Sequence, residues 1–204
     1  MIAMAQEEKP IQGEMPATES AFQLAAGLAK YGYSHNDALS LIQAARIAKQ
    51  EGFALSTRVK AEGQTEATAA TQFNLNPDQL LADARAKASG DDVILALIDD
   101  AAAMSNGTRG SSRPIYTTDV VSGNSYDLYH HTFRGDEGAT VICIGDGDTD
   151  LDLYIYDENY NLIAKDDDYT DDCVCTFRPY WTGTFYIKIV NRGRIANRYL
   201  LRSN

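Results

Sequence analysis

The sequence predicts a two-part α+β protein, in which a small helical bundle is followed by an antiparallel β-sandwich. Two observations support this division. Before about residue 110 the chain is rich in Ala, Leu and Gln, and its apolar residues recur at helical spacing. After that point Tyr, Val, Ile, Thr, Asp and Gly predominate in short runs separated by turn residues, the pattern of an all-β domain.

Composition also sets the expected domain bounds. Residues 1–17 are expected to form a flexible polar tail, 18–106 a helical domain, 107–114 a linker and 115–204 the sandwich. The linker is assigned because Asn, Gly, Ser and Pro cluster there. A chain of 204 residues with 44% hydrophobic residues is long enough for two small domains.

Four helices are predicted in the first half from capping signals. Asn76 and Pro77 give the clearest start, because a capping side chain precedes a proline at the first helical position. Gly52 is expected to end the second helix. Residues 57–72 have little to bury and are expected to be mobile. The predicted capping residues of the first, second and fourth helices are Ser20 with Gln23, Asn36, and Asp91 or Asp92.

Eight short strands are predicted in the second half, where alternating or apolar runs are bounded by glycine-containing turns. They lie near residues 115–121, 126–133, 139–145, 150–156, 161–165, 173–178, 184–190 and 197–202.

An acidic window, residues 146–172, contains eleven acids and one base, Lys165, and so carries nearly all of the net charge of −11. Leu151, Leu153 and Ile155 alternate through it, which predicts a folded hairpin with these side chains on one face. The register that keeps apolar residues inward fixes the opposing pairs. These pairs are Ile155 with Leu162, Leu153 with Ala164, Asp152 with Lys165, and Asp150 with Asp167.

The carboxylates that this register gathers at one end of the hairpin suggest a Ca²⁺ site, because calcium prefers clustered oxygen ligands. An EF-hand is excluded, since Leu153 and Asn159 stand where that loop requires Gly and Glu. The alternative is a solvated acidic edge that opposes aggregation. The candidate ligands are Asp148, Asp150, Asp152, Asp166, Asp167 and Asp168.

Three cysteines, Cys143, Cys173 and Cys175, show no metal-binding spacing. Cys173 and Cys175 are two apart in one strand, so a bridge between them would be strained. A bridge across the sandwich between Cys143 and one of these two is more plausible, and Cys143 with Cys175 is the candidate disulfide. Three buried free thiols are the alternative.

Aromatic side chains offer a binding hypothesis, whereas catalytic motifs are missing from the sequence. Tyr154, Tyr156 and Trp181 are candidate contacts for sugars or extended peptides, unless they pack against loops or the helical half. His35, His130 and the adjacent His131 fit polar surface positions, and no hydrolase, metalloprotease or nucleotide-binding fingerprint occurs. The sequence therefore predicts a protein that is not an enzyme.

Three segments of the sandwich half resemble one family. GDGDTDLDLYIYDENYNLIAKDDD, FRPYWTGTFYIKIVN and NRYLLRSN are similar to the bacterial pre-peptidase C-terminal domain, over roughly residues 115–204. This resemblance implies an exported protein, a jelly-roll-like sandwich, calcium as a cofactor and an accessory role. Tyr160 departs from the family pattern because it replaces a turn glycine, which costs on the order of 1 kcal/mol in a left-handed conformation.

The function predicted from these observations is that of a non-catalytic, exported accessory or binding protein. Its partner would be another exported protein or an extracellular polymer. The acidic balance argues against nucleic acid, and the longest apolar runs are too short for a membrane span. The alternative function is a partner-binding or inhibitory protein that acts on an exported enzyme through its helical half.

Overall fold

The structure is a computed structural model that describes residues 17–63, 72–107 and 115–204. Outside these ranges lie residues 1–16 of the expected tail, 64–71 of the segment expected to be mobile and 108–114 of the expected linker. The described helices are α1 (Ala17–Ser34), α2 (Ala38–Glu51), α3 (Pro77–Lys87) and α4 (Asp92–Ala103). The described strands are β1 (Ala54–Leu55), β2 (Ile115–Val121), β3 (Ser125–Phe133), β4 (Ala139–Gly145), β5 (Leu151–Tyr156), β6 (Leu162–Asp166), β7 (Asp172–Phe177), β8 (Gly183–Asn191) and β9 (Asn197–Ser203).

The helix ends confirm three capping predictions. Asn76 accepts hydrogen bonds from the first backbone N–H groups of α3, and Asp91 does the same for α4. Gly52 ends α2 in the left-handed conformation, at φ +70°. None of the described helices is long and apolar enough to cross a membrane.

Two capping predictions are wrong. Asn36 does not cap α2, because it occupies the left-handed turn before the helix, at φ +55°. The neighbouring Asp37 is extended and accepts the N–H of Ser40 instead. Helix α1 already begins at Ala17, so Ser20 lies within its first turn and forms no capping box with Gln23.

The eight predicted strands are confirmed as β2–β9, each within one residue of the expected bounds. They form two antiparallel sheets with the orders β2-β9-β4-β7 and β3-β8-β5-β6, and β1 adds a short parallel strand beside β2. Eight strands divided in this way between two packed sheets are a jelly roll. The predicted α+β class, helices followed by a jelly-roll-like sandwich, is therefore confirmed.

Two apolar clusters arrange the molecule in three layers. The inner faces of the two sheets enclose one cluster, to which Val141, Leu153 and Ile187 belong. The side chains on the opposite face of the five-stranded sheet, such as Ile142 and Leu200, belong to the second cluster, which they share with the buried side chains of the helices. The helices therefore cover the outer face of the five-stranded sheet and leave the outer face of the other sheet uncovered.

Residues 54–63, here called the strap, run from α2 onto the sandwich. Its β1 residues pair with β2, and the backbone N–H of Ala61 donates to the carbonyl of Leu128 in β3. Arg58 donates to the hydroxyl of Ser203 at 2.6 Å. Residues 57–63, part of the segment expected to be mobile, thus include groups that are hydrogen-bonded to strands of the sandwich, and their mobility stays a prediction.

Candidate ligand-binding face

Side-chain alternation places a tyrosine-rich surface on the uncovered side of the four-stranded sheet. The strand register aligns Tyr126 with Val190 and Asp152 in one row across β3, β8 and β5. The next two outward rows are Leu128, Lys188, Tyr154 and Lys165, and then His130, Tyr186, Tyr156 and Leu162. We call this surface the tyrosine face, and it comprises Tyr126, Tyr154, Tyr156, Tyr160 and Tyr186.

Ring contacts hold the tyrosine face in one arrangement. Tyr160, in the β5–β6 turn, stacks on Tyr186 at 4.4 Å between centroids and 14° between planes. Tyr154 stacks near Tyr156 at 6.3 Å, and His130 packs its edge against Tyr186. Contacts of this geometry contribute about 0.5–1.5 kcal/mol each beyond the burial of area. The phenol rings are therefore positioned before any ligand arrives.

An open groove of about 550 Å³ crosses one end of this face. Tyr126, Tyr154 and Tyr156 line it, together with the cations Lys188 and Arg192. The Lys188 ammonium lies 4.2 Å from the centroid of the Tyr126 ring, which is a cation–π contact. The groove thus combines flat aromatic surfaces with hydrogen-bond donors, in a chain that is otherwise strongly acidic.

Arg192 organises the floor of the groove. Its Nε donates to Asp152 at 2.5 Å and its guanidinium to the hydroxyl of Tyr154 at 3.0 Å. These hydrogen bonds, the one to Asp152 above all, raise the pKa of Arg192. Burial raises the pKa of Tyr154 most, so its phenol stays protonated and donates to Oδ2 of Asp152 at 3.0 Å.

Trp181 does not join the groove. It lies in the turn before β8, where its indole stacks on Phe185 at 5.7 Å and its Nε1 donates to Glu158 at 3.0 Å. The structure therefore brings Tyr154 and Tyr156 together and separates Trp181 from them. The expected alternative for the two tyrosines, packing against the helical half, is wrong because the helices lie on the other sheet.

The predicted register of the acidic hairpin is wrong. Leu162 lies opposite Tyr156 and not Ile155, so the pairing is displaced by one residue at the turn. A bulge beside Tyr156 displaces it by one more, and Ile155 lies opposite Ala164 and Leu153 opposite Asp166. Leu162, expected to face inward, is consequently 50% exposed. Lys165 faces Tyr154 and not Asp152, and the predicted pairing of Asp150 with Asp167 is absent from the β5–β6 pairs. The positive φ expected at the turn is confirmed for Tyr160, at +60°.

Most of the acidic side chains serve as acceptors within the fold. Asp166 accepts the backbone N–H of Val174, and Asp168 that of Thr170, both at 2.8 Å. Asp167 forms an ion pair with Lys165, at 2.7 Å between Oδ2 and Nζ. These carboxylates therefore fix turns and strand ends, which is a third role beside the calcium site and the solvated edge.

The remaining candidate ligands lie in separate surroundings. Asp152 is buried beneath Arg192, and the burial of Asp148 raises its pKa, with a further contribution from Asp146. Asp150 has a buried Oδ1 that makes no hydrogen bond, and burial raises its pKa most. Within the described ranges, no three His, Cys, Asp or Glu side chains are grouped so as to hold a metal ion. Calcium binding therefore stays a prediction.

The three cysteines are buried free thiols, so the Cys143–Cys175 disulfide is not formed. Strands β4 and β7 are neighbours in one sheet, and the register sets Cys143 opposite Cys173 and Cys175 opposite Val141. Pairing across the sandwich was the wrong geometry. Burial raises the pKa of all three thiols, which keeps them protonated and unreactive.

Sequence reasoning missed several residues of the tyrosine face. Tyr126, Tyr186 and Lys188 occupy alternate positions in β3 and β8, and that alternation was readable in the sequence. The sequence held no signal for which sheet the helices cover. Without that knowledge, exposed and covered outward faces could not be distinguished.

Comparisons with known proteins give only partial similarity of fold. No protein-family model matches the chain, and no curated protein matches it in sequence. Among solved structures, it is similar to the pre-peptidase C-terminal domain of a Bacillus anthracis collagenase, with a TM-score of 0.40, 12% identity, and coverage of 45% of this chain and 89% of that one. It is also similar to a mitogen derived from Yersinia pseudotuberculosis, with a TM-score of 0.37, 16% identity, and coverage of 44% of this chain and 82% of that one. A third similar structure is a periplasmic inhibitor of g-type lysozyme from Aeromonas hydrophila, with a TM-score of 0.35, 10% identity, and coverage of 48% of this chain and 91% of that one.

Proposed function

We propose that this protein is a non-catalytic binding protein that captures an extended glycan polymer on its tyrosine face. The observation that carries the proposal is the open groove in which Tyr126, Tyr154 and Tyr156 lie beside Lys188 and Arg192. Sugar rings present apolar C–H faces and many hydroxyls, so they suit aromatic rings bordered by hydrogen-bond donors.

The shape of the groove favours a chain over a compact ligand. Small-molecule sites are concave and enclose most of their ligand, whereas this groove lies across an open sheet surface. The three rows of outward side chains continue from the groove toward Tyr186 and Tyr160. A polymer lying along these rows would contact several rings in turn.

The chemistry of the groove supports binding without turnover. Its lining side chains include neither a carboxylate nor an imidazole. Two carboxylates contact the lining side chains. Asp152 is 3% exposed and bound to Arg192, and Glu62 accepts the hydroxyl proton of Tyr126 at 2.7 Å, so both already serve as hydrogen-bond acceptors. The sequence resemblance over roughly residues 115–204 adds export and an accessory role to the proposal.

Affinity electrophoresis and calorimetric titration against a panel of soluble polysaccharides test this function. The double variant Tyr154→Ala/Tyr156→Ala should bind at least about tenfold more weakly, because two lost ring contacts are worth roughly 1.4 kcal/mol or more together. Tyr169→Ala is the matched control, since Tyr169 is 97% exposed and lies outside the groove lining. Binding that both variants weaken equally, or a wild type that binds no glycan of the panel, contradicts the proposal.

The alternative function, capture of an exported enzyme through the helical half, would use apolar side chains that the helices expose. Leu24, Leu39 and Val93 are 58%, 47% and 71% exposed. A pull-down with Leu24→Glu/Val93→Glu beside the tyrosine double variant separates the two ideas. Loss of a protein partner only in the helical variant favours the alternative, and loss only in the tyrosine variant excludes it.

A further inference from the structure

A buried lysine sits between two carboxylates where the strap meets the sandwich. The Lys60 ammonium is 2.8 Å from Oδ2 of Asp127 and 2.9 Å from Oδ1 of Asp119. The side chain of Lys60 is 7% exposed and that of Asp127 is 1% exposed, whereas Asp119 is 28% exposed. The third ammonium proton is donated to the carbonyl oxygen of Val120 at 2.9 Å. The amine is thus fixed from three sides beside the carboxyl group of Asp127.

The two oxygens of Asp127 have different surroundings. Oδ2 also accepts a hydrogen bond from the hydroxyl of Tyr199 at 2.7 Å. Oδ1 is buried and makes no hydrogen bond. It lies against Gly63, where an added Cβ would stand 2.3 Å from Oδ1, so glycine is required for this close approach. One oxygen is therefore held by a donor, and the other is free to leave.

We propose that Lys60 and Asp127 condense to form an intramolecular isopeptide bond, with Asp119 as the group that transfers protons. The structure shows the ion pair from which this amide would form. Lys60 lies in the strap and Asp127 in β3, so the new bond would join two segments of the chain covalently.

Each atom of the condensation has an assigned place. Asp119 takes a proton from the Lys60 ammonium, and the freed Nζ attacks Cγ of Asp127. The charge that develops on Oδ2 is stabilised by the Tyr199 hydroxyl. The Cγ–Oδ1 bond breaks as Asp119 returns protons to Oδ1. Two ammonium hydrogens leave with Oδ1 as one water molecule and the third stays on the amide nitrogen, so atoms and charge balance and no oxidant or co-reactant is needed.

The surroundings favour this product over the ion pair. Burial raises the pKa of Asp127 more than any other influence on it, so this carboxyl accepts the proton that Asp119 removes from Lys60, and a protonated carboxyl is the form that an amine attacks. Holding both partners at hydrogen-bond distance replaces an encounter with an oriented intramolecular reaction. A neutral amide also avoids the cost of keeping two charges in a buried site.

Intact mass spectrometry of the folded, full-length chain, measured after denaturation, tests the bond. The wild type should be lighter than its sequence mass by one water molecule. Trypsin should no longer cut after Lys60, and a branched peptide should join residues 59–85 to 110–134. A wild type that has its full sequence mass and is cleaved after Lys60 overturns the proposal, whatever the variants show.

Three variants establish the roles. Lys60→Arg keeps the positive charge without a nucleophilic amine, and Asp119→Asn keeps the pair without the proton acceptor, so both should have their full sequence masses. Lys49→Arg is the matched control, because Lys49 is also 7% exposed but bonds to backbone carbonyls such as that of Ala102. It should keep the deficit of one water. A deficit that persists in Lys60→Arg would place the modification elsewhere and refute the assignment.

Discussion

Phe22 offers a test of whether the helical layer and the sandwich unfold as one unit. It lies in α1 with no exposed surface and belongs to the cluster that the helices share with the five-stranded sheet. Its ring meets Phe53 edge-on at 5.5 Å and Tyr116 of β2 at 6.0 Å. The substitution Phe22→Ala would remove both contacts and leave a cavity between the two layers.

The expected loss is large because two effects add. A fully buried Phe replaced by Ala costs about 3–5 kcal/mol, which includes the cavity left behind. The two ring contacts, worth about 0.5–1.5 kcal/mol each, place this site in the upper part of that range. Such a loss is comparable to half of the stability of a typical domain. The midpoint of urea unfolding should therefore fall clearly while the slope stays constant.

Two probes report on the two layers separately. Circular dichroism follows the helices, and fluorescence follows Trp181, the single tryptophan, which lies in the sandwich. We expect both midpoints to fall together in Phe22→Ala. Leu24 lies in the same helix but is 58% exposed, so Leu24→Ala should change the free energy of unfolding by no more than about 0.5 kcal/mol with either probe. If the helical signal shifts while the Trp181 midpoint stays in place, the shared core does not couple the layers and the reasoning is refuted.

Two further predictions concern pH and calcium. Burial, aided by the positive charge of Arg58, lowers the pKa of His131 from 6.5 to about 4, so its stabilising contribution is present above pH 6.5 and is lost as the pH falls toward 4. Unfolding midpoints across this window should fall less steeply in His131→Gln, and an identical slope contradicts the assignment. Calcium bound at the acidic hairpin would raise the Tm at millimolar concentration, and Asp150→Asn should remove that rise because the unpartnered Oδ1 becomes part of an amide. No rise, or an equal rise in both proteins, contradicts the calcium prediction.

The strands were predictable because their signals are local. Alternation and turn residues fix where a strand begins and ends, and β4 and β7 were bounded within one residue. The sheet partners of the strands were not predictable in the same way. The disulfide prediction failed because it placed Cys143 and Cys175 in opposite sheets, whereas their strands are neighbours.

The candidate site was only half predictable for a related reason. Tyr154 and Tyr156 were identified from alternation in one strand, which a sequence reveals directly. Their neighbours Lys188 and Arg192 reach the groove from β8 and the segment that follows it, through non-local pairing. The predicted register of the hairpin failed for two reasons: the turn pairs Leu162 with Tyr156 and not Ile155, and the bulged residue Ile163 shifts every pair beyond it by one more.

The acidic window gains its meaning from the hydrogen bonds that its carboxylates accept. Asp157 accepts the N–H groups of Asn159 and Asn161 and so fixes the turn that presents Tyr160 to the tyrosine face. Asp152 orients Arg192 in the groove from below. A high density of carboxylates therefore need not mark a metal site, because each turn of a short-stranded sandwich exposes N–H groups that a nearby Asp can satisfy. On this argument the charge of the hairpin follows from its tight turns, and the binding surface follows from the side chains that those turns hold in position.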